Sequence, residues 1–360
     1  MKIVQVVNHF YPCLGGMERI VEDISEKLVG KKNIVKVVCL NTCANSKNKL
    51  KEKEIFNKIQ IERIPFIDLK YYKIALSVFD KIKNSDVVHV HGIGFFSDFL
   101  IATKIFHKKP IIVSTHGGIF HTQKLGVLKK IYFYFFQKII LKFANTVIAV
   151  SKNDYELFKP ICNNLVLIEN GVNTSKFKTR KKQKNTFLYL GRFSKNKQIP
   201  FLLNTFAELK KKNNKFTLII AGTDWENLLY SYKQKVSDLG LEKNVSFVIN
   251  PLNEETKELY ANSEYFVSAS RYEGFGLTIV EAMASGTIPL VQYNEGHSIT
   301  VQDKENGYFI DYTNAKKAAK TIQEILQTNK IYSKDTILRA KEFDWNKQIE
   351  KIEKIYSGIL

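Results

Sequence analysis

Short, uninterrupted apolar runs alternate with amphipathic stretches along almost the whole chain, and no other feature constrains the fold as much. In the first half the runs fall at 2–7, 34–40, 59–65, 87–91, 111–115, 146–150 and 166–168. Runs this short with no polar alternation suit parallel strands covered on both faces. Helical patterns such as 18–28 and 96–106 lie between them. Strand and helix in strict alternation build a doubly wound parallel sheet. The polar, lysine-rich stretch 174–185 interrupts the pattern and reads as a linker. Apolar runs then resume at 187–190, 218–221, 245–249, 265–269 and 289–291. The expected architecture is α/β, with Rossmann-like doubly wound domains over 1–173 and 186–343. A chain of 360 residues fits two such cores better than one. No internal sequence repeat relates the halves.

Composition narrows the function classes. The net charge is +20, which fits either drift in a Lys-, Asn- and Ile-rich chain or attraction to anionic lipid or substrate. The lysines are scattered and no arginine-rich arm or RNA-binding signature occurs, so a nucleic acid partner is not expected. The four cysteines, Cys13, Cys39, Cys43 and Cys162, form no Cys-x-x-Cys pair and have no histidine at zinc spacing. They read as reduced, mostly buried thiols of a cytoplasmic protein. The chain opens directly on the core run Ile3–Val7, so no signal peptide is expected. The apolar run 131–141 is interrupted by Gln137 and Lys138 and is too short to span a bilayer.

The chemistry concentrates in Ser270-Arg271-Tyr272-Glu273-Gly274-Phe275-Gly276-Leu277-Thr278-Ile279-Val280-Glu281-Ala282. Two carboxylates bracket a Gly-Phe-Gly turn between a buried run and a helix. Such a turn lets backbone approach a ligand. The amides of Phe275, Gly276, Leu277 and Thr278 would open the helix, unpaired and partly positive. Glu281 would sit one turn in. An ionised carboxylate accepts two hydroxyl hydrogen bonds at once, which suits a sugar and a ribose joined by phosphates.

Glu-x7-Glu with this Gly-Phe-Gly-Leu inside it, followed by Ala282-Met283-Ala284-Ser285-Gly286-Thr287-Ile288-Pro289-Leu290, resembles the signature of retaining glycosyltransferase family 4. The resemblance implies the GT-B fold, two Rossmann-like domains facing across a cleft. The domain over 1–173 would bind the acceptor and that over 186–343 the nucleotide sugar. A C-terminal helix, 344–360, would cross back onto the first domain. Its spacing of Ile349, Ile352, Ile355 and Tyr356 is that of an amphipathic helix, which by itself fits packing on either domain.

Further segments match the family. Gly191-Arg192-Phe193-Ser194-Lys195-Asn196-Lys197 resembles its Gly-Arg-x-x-x-x-Lys, which assigns Arg192 and Lys197 to the donor's pyrophosphate. A planar fork and a point charge can converge there on one diphosphate. Gly15-Gly16 resembles the first-loop glycines, where helix amides could face a phosphate; a plain turn explains the pair equally well. His116, after the run 111–115, resembles the family histidine that borders sugar and acceptor, and is expected to act with Glu273 at the reacting sugar. His-Asp is frequent at that place; here it is His116-Gly117, so no catalytic carboxylate is expected at 117. His89 and His91 end the run 87–91, with His91 the weaker, structural candidate. Ser151 and Asn170-Gly171-Val172-Asn173 resemble cleft-lining and hinge elements.

No Asp-x-Asp or other carboxylate cluster offers a divalent cation a site, so neither metal nor cofactor is expected. The resemblance implies front-face attack, in which the departing phosphate takes the acceptor's proton and Glu273 holds sugar hydroxyls. The expected reaction moves a hexose-type sugar from a nucleoside-diphosphate sugar to a glycan or lipid-linked acceptor, in surface polysaccharide or glycolipid assembly. Two other readings remain: an inactive GT-B protein that binds glycan or membrane, and a soluble sugar or sugar-phosphate synthase. An NAD dehydrogenase is disfavoured, because Gly-x-Gly-x-x-Gly is missing. The stretch 124–142 interleaves Lys129, Lys130, Lys138 and Lys142 with Ile131, Tyr132, Phe133, Tyr134, Phe135 and Phe136. It fits equally an anionic membrane surface on the cytoplasmic side and a core helix with solvated lysines.

Overall fold

A computed structural model of the protein describes every residue except Leu14, Asn45, Lys47, Lys70, Tyr71, 118–125 and 329–331, with the backbone alone for 126–128. The chain divides into two compact units. The first comprises Met1–Gly171 with Trp345–Leu360, and the second Val172–Asp344.

In chain order the first unit's strands are β1 (Lys2–Val6), β2 (Ile34–Leu40), β3 (Lys53–Phe56), β4 (Ile59–Ile64), β5 (Ile67–Asp68), β6 (Lys73–Ile74), β7 (Val87–His91), β8 (Ile111–Ser114), β9 (Thr146–Ala149) and β10 (Leu165–Leu167). Among the described residues eight of them form one sheet, ordered β10-β9-β8-β7-β1-β2-β4-β3. Every pair in it is parallel except the edge pair β3–β4. β7 is buried along its whole length, as the unbroken run 87–91 requires. The helix Gly16–Gly30 buries Ile20, Val21, Ile24 and Leu28, one face at helical spacing, against the sheet.

The second unit continues with β11 (Gln183–Leu190), β12 (Thr217–Gly222), β13 (Val245–Ile249), β14 (Ser263–Ser268), β15 (Ile288–Val291) and β16 (Tyr308–Phe309). They form an all-parallel sheet ordered β13-β12-β11-β14-β15-β16. The helix Ile199–Lys210 starts with Pro200 in its first turn and buries Leu202, Leu203, Phe206 and Leu209 on the sheet. Phe187 on β11 meets Phe206 edge-on at 4.9 Å and stacks on Tyr265 at 5.1 Å. Aromatic pairs of this kind add to plain area burial.

Three expectations need correction. The stretch 174–185 is not a tether between domains: it lies inside the second unit, and β11 already begins at Gln183. Lys182 donates to the Tyr260 carbonyl at 3.0 Å, the Ser285 carbonyl at 2.7 Å and Thr287 Oγ1 at 2.9 Å. Burial pushes its ammonium down to about 8. Charge in the sequence looked like solvation, whereas the fold folds that charge onto carbonyls. Second, the four cysteines are not all thiols. Cys13 and Cys43 form a disulfide, with Cα atoms 5.3 Å apart, while Cys39 and Cys162 are free and buried. The loops after the neighbouring parallel strands β1 and β2 bring the pair together, a juxtaposition that spacing cannot reveal. Third, β3 and β16 had no matching apolar run, because both are short edge strands.

Trp345–Gly358 is a helix of the first unit, with Trp345, Ile349, Ile352 and Tyr356 buried. Lys124 lies outside the described residues. The segment after it is helical but broken in type: Gly126–Ile131, a π-helical turn Tyr132–Gln137, Lys138–Ile140, and a 3-10 turn Leu141–Phe143. Its Phe133 and Gln137 are buried, but Ile131, Tyr134, Phe135, Phe136, Ile139 and Phe143 are exposed. Among the described residues no helix is long and apolar enough to cross a membrane.

Candidate functional site

In the second unit the carboxyl ends of β11, β12 and β14 deliver the predicted residues, as open parallel sheets do. Gly222 ends β12 at φ +146°, where a Cβ would lie 1.8 Å from the Gly191 carbonyl oxygen. Only glycine allows this approach, which lets Gly191 N–H donate to Ala221 at 3.1 Å and Phe193 N–H to Thr223 at 2.7 Å. Between them Arg192 is exposed, its guanidinium 5.2 Å from the Trp225 ring. An aromatic face holds a guanidinium in place while leaving its edge donors for a ligand.

The 191–198 and 270–273 loops are fastened together. Arg271 N–H donates to the Asn196 carbonyl at 3.0 Å, and Asn196 Nδ2 donates to the Tyr272 carbonyl at 2.9 Å. Lys197 Nζ completes the clamp with an ion pair to Glu273 Oε1. Burial pushes the Glu273 carboxyl up, but Lys197 and His297 outweigh it, so the net direction is down and the group is ionised at neutral pH. Lys197 is therefore both a candidate phosphate ligand and the counter-charge of Glu273.

Gly276 caps the helix Leu277–Ala284 in the left-handed region, φ +83°, a conformation that favours glycine, with a Cβ there 3.1 Å from Ile279 Cδ1. The amides of Gly276, Leu277 and Thr278 open the helix, and the first amides of a helix have no intrahelical acceptor. The Phe275 ring is buried edge-on against Phe343 at 5.5 Å, so what this residue can offer a ligand is its backbone. Glu281 is 2% exposed, and the Tyr260 hydroxyl donates to its Oε2 at 2.8 Å.

The sequence reading missed several residues here. Gly296 sits where a Cβ would be 2.2 Å from the Glu273 carbonyl. Asn294 Nδ2 donates to the Ser270 carbonyl at 2.9 Å, and its Oδ1 accepts from His297 N–H at 2.9 Å. His297, 1% exposed, donates through Nδ1 to the Gln292 carbonyl at 2.6 Å. Burial lowers its pKa, and Glu273 only partly opposes that. Asn294-x-x-His297 opening a helix is a legible cap; its approach to Glu273 is not.

In the first unit Gly15 caps the helix Gly16–Gly30 in extended backbone. A Cβ there would be 2.1 Å from Glu18 Oε2, so the chain's own carboxylate folds over the helix start that a phosphate would face. His116 follows β8 at φ +47°, unusual for a non-glycine residue and characteristic of functional turns. Its turn is clamped by Asp154, whose Oδ2 accepts from Thr115 Oγ1 at 2.6 Å and Gly117 N–H at 2.8 Å. Asp154 was also missed, although Ser151-x-x-Asp154 is a visible helix-start pattern, with Ser151 Oγ accepting from Asp154 N–H at 3.1 Å. His116 Nε2 lies 3.0 Å from His91 Nδ1. Burial pushes His116 down to about 4 and His89 to about 3, and holds His91 well below the ordinary imidazole range. All three rings are neutral at pH 7. Among the described residues no three His, Cys, Asp or Glu side chains gather as a metal site would need.

Residues 172–343 match the family model described as glycosyl transferases group 1, and 14–176 that described as glycosyltransferase family 4. The GDP-mannose:cellobiosyl-diphosphopolyprenol alpha-mannosyltransferase of Xanthomonas oryzae pv. oryzae is 33% identical over 331 residues, 90% of this chain and 87% of that protein. Its namesake from Xanthomonas campestris is 32% identical over 355 residues, 96% of this chain and 93% of that one. The structure of sucrose-phosphate synthase from Thermosynechococcus elongatus superposes with a TM-score of 0.78 at 20% identity, covering 99% of this chain and 98% of that one, a likeness of fold.

Proposed function

Because the chain belongs to glycosyltransferase family 4, with its GT-B fold of two parallel-sheet α/β domains, we propose that it transfers mannose from GDP-mannose to a lipid-linked glycan diphosphate, keeping the anomeric configuration and using no metal. The observation that carries this is the end-to-end similarity to relatives named for that donor and acceptor. Such a reaction would serve cell-surface polysaccharide or glycolipid assembly.

The residues fit those roles. Arg192 and Lys197, with the amides of Phe275, Gly276, Leu277 and Thr278, take the diphosphate. Glu281 takes the ribose and Glu273 the sugar hydroxyls. Gly15 and Gly16 offer amides to a phosphate, provided that Glu18 swings aside. His116 hydrogen-bonds the reacting sugar or its acceptor. The bond from C1 to the diphosphate oxygen breaks as the acceptor oxygen bonds to C1 on the same face. The acceptor's proton passes to the departing diphosphate, whose charge Arg192, Lys197 and the helix amides neutralise without a cation.

A lipid-linked acceptor lies at a bilayer, and one face of the first unit suits that surface. Phe135 is 70% exposed among Lys129, Lys130, Lys138 and Lys142. The short helix Lys104–His107 adds Ile105 and Phe106, the latter 72% exposed. Lys104 Nζ donates to the Phe143 carbonyl at 2.9 Å, which ties that helix to the end of the segment, and we read the exposed apolar side chains of the two as one patch beside lysines. Such a patch on a folded protein marks an interaction surface.

The test is incubation of the purified protein with GDP-mannose, UDP-glucose or ADP-glucose and a polyprenyl-diphosphate-linked disaccharide, with proton NMR of the product. An α-mannosyl product from GDP-mannose alone supports the proposal. Transfer only from another nucleotide sugar, or an inverted product, overturns it. Co-sedimentation with anionic but not neutral vesicles tests the surface.

A further inference from the structure

Six side chains of the first unit form one hydrogen-bonded chain, and His116 is its end. His116 Nε2 meets His91 Nδ1 at 3.0 Å, and His91 Nε2 meets Gln5 Oε1 at 2.6 Å. Gln5 Nε2 donates to the Tyr356 hydroxyl at 3.2 Å. That hydroxyl lies 2.7 Å from His89 Nδ1, and His89 Nε2 lies 2.8 Å from Ser114 Oγ. Gln5, His89, His91, Ser114 and Tyr356 are buried, so each polar atom depends on its neighbour in the chain.

With the Gln5 amide oxygen facing His91, proton counting fixes the direction. The amide oxygen of Gln5 can only accept, so His91 carries its proton on Nε2. A neutral His91 then has a bare Nδ1, which must accept from His116 Nε2–H. On the other side, Tyr356 accepts from Gln5 and gives its single proton to His89 Nδ1, leaving His89 Nε2–H to donate to Ser114. Reversing the links from His116 to Gln5 requires Gln5 to flip its amide and the His91 and His116 rings to exchange tautomers together. Among the described residues, the Nδ1 of His116 meets no partner.

We infer that Gln5 and Tyr356 are positioning residues that hold His116 in the tautomer protonated at Nε2, so that it offers substrate a bare Nδ1. That atom accepts a hydrogen bond and therefore suits a sugar hydroxyl, not a phosphate oxygen. The inference rests on the functional reading of His116. It also gives the last helix a role in the reaction, since Tyr356 comes from Trp345–Gly358.

Histidine-selective 15N labelling of the full chain reads the tautomer directly, with His116 assigned by its lost signal in His116→Ala. The expected result at pH 7 is His116 protonated at Nε2. Protonation at Nδ1, or an average of the two tautomers, overturns the inference. Tyr356→Phe frees the Gln5 amide. It should mix the His116 tautomers and lower kcat about tenfold while the donor KM changes less than about twofold. An unaltered tautomer and kcat in that variant overturn it as well. If Tyr356→Phe does not fold, the wild-type spectrum still decides. Full turnover by His116→Ala would instead remove His116 from the reaction, a failure of the functional reading that a tautomer measured without substrate does not share.

Discussion

The Lys197 ammonium is ion-paired with the Glu273 carboxylate, joining two loops 76 residues apart in sequence. The loop assigned to the diphosphate and the loop assigned to the sugar are thus one electrostatic unit. Burial pushes the Glu273 carboxyl up, and Lys197 is the largest influence holding it down.

Lys197→Ala should therefore do two things. It should weaken binding of the nucleoside diphosphate by about 1.5–3 kcal/mol, the cost of a charge-assisted contact. It should also raise the Glu273 pKa, so that the acid limb of the pH–rate profile moves to higher pH. Calorimetric titration and kcat/KM against pH measure the two. Arg192→Ala should weaken diphosphate binding without moving that limb. Identical profiles for Lys197→Ala and wild type would break the proposed coupling.

Glu281 and Glu273 should separate by ligand. Glu281→Gln should weaken both the intact donor and the bare nucleoside diphosphate, because the ribose belongs to both. Glu273→Gln should leave nucleoside diphosphate affinity nearly intact and lower turnover, since its contact strengthens as the glycosidic bond breaks. Equal losses of nucleoside diphosphate binding would mean that the carboxylates are assigned wrongly.

Turnover should survive EDTA. Complete loss on chelation, reversed by magnesium or manganese, would show that Arg192, Lys197 and the helix amides do not suffice for the leaving group.

Stability should fall as pH drops from about 6.5 towards 4. His89 and His116 have folded pKa values of about 3 and about 4, below the unfolded value near 6.5. In that window the unfolded chain binds more protons, so stability rises with pH. By pH 5, before most carboxylates titrate, the loss is already on the order of several kcal/mol. Denaturant melts at pH 7, 6 and 5 read it. A midpoint constant across them would mean that the three histidines are not buried and neutral.

Unfolding without reductant should expose two titratable thiols, Cys39 and Cys162, and four after reduction, given the Cys13–Cys43 bridge. The bridge closes a loop of about thirty residues, so reduction should cost roughly 3 kcal/mol of stability. Four thiols in both titrations would remove the bridge.

Much of this was legible in the sequence. The runs 87–91 and 245–249 became β7 and β13 at those bounds: β7 is buried along its length, while β13, an edge strand, keeps Val245 inside and exposes Ser246 and Ile249. The Glu273–Glu281 segment was legible for a local reason: turn, glycine cap and helix start all lie within a dozen residues, and each has its own residue preference. Gly276 is glycine because its φ is +83°, a constraint that neighbours in sequence carry among themselves.

What only the tertiary structure decided is which distant side chains meet. Lys182 looked like part of a solvated linker and is held by three oxygens from 260, 285 and 287. Cys13 looked reduced and lies beside Cys43 because β1 and β2 are neighbours. His91 looked structural, yet it stands between His116 and Gln5, with Tyr356 from the far end of the chain behind them. Patterns of period two or 3.6 record burial, which each residue experiences singly. A hydrogen bond or ion pair between distant residues depends on the register of whole strands and helices, and no single segment encodes that register.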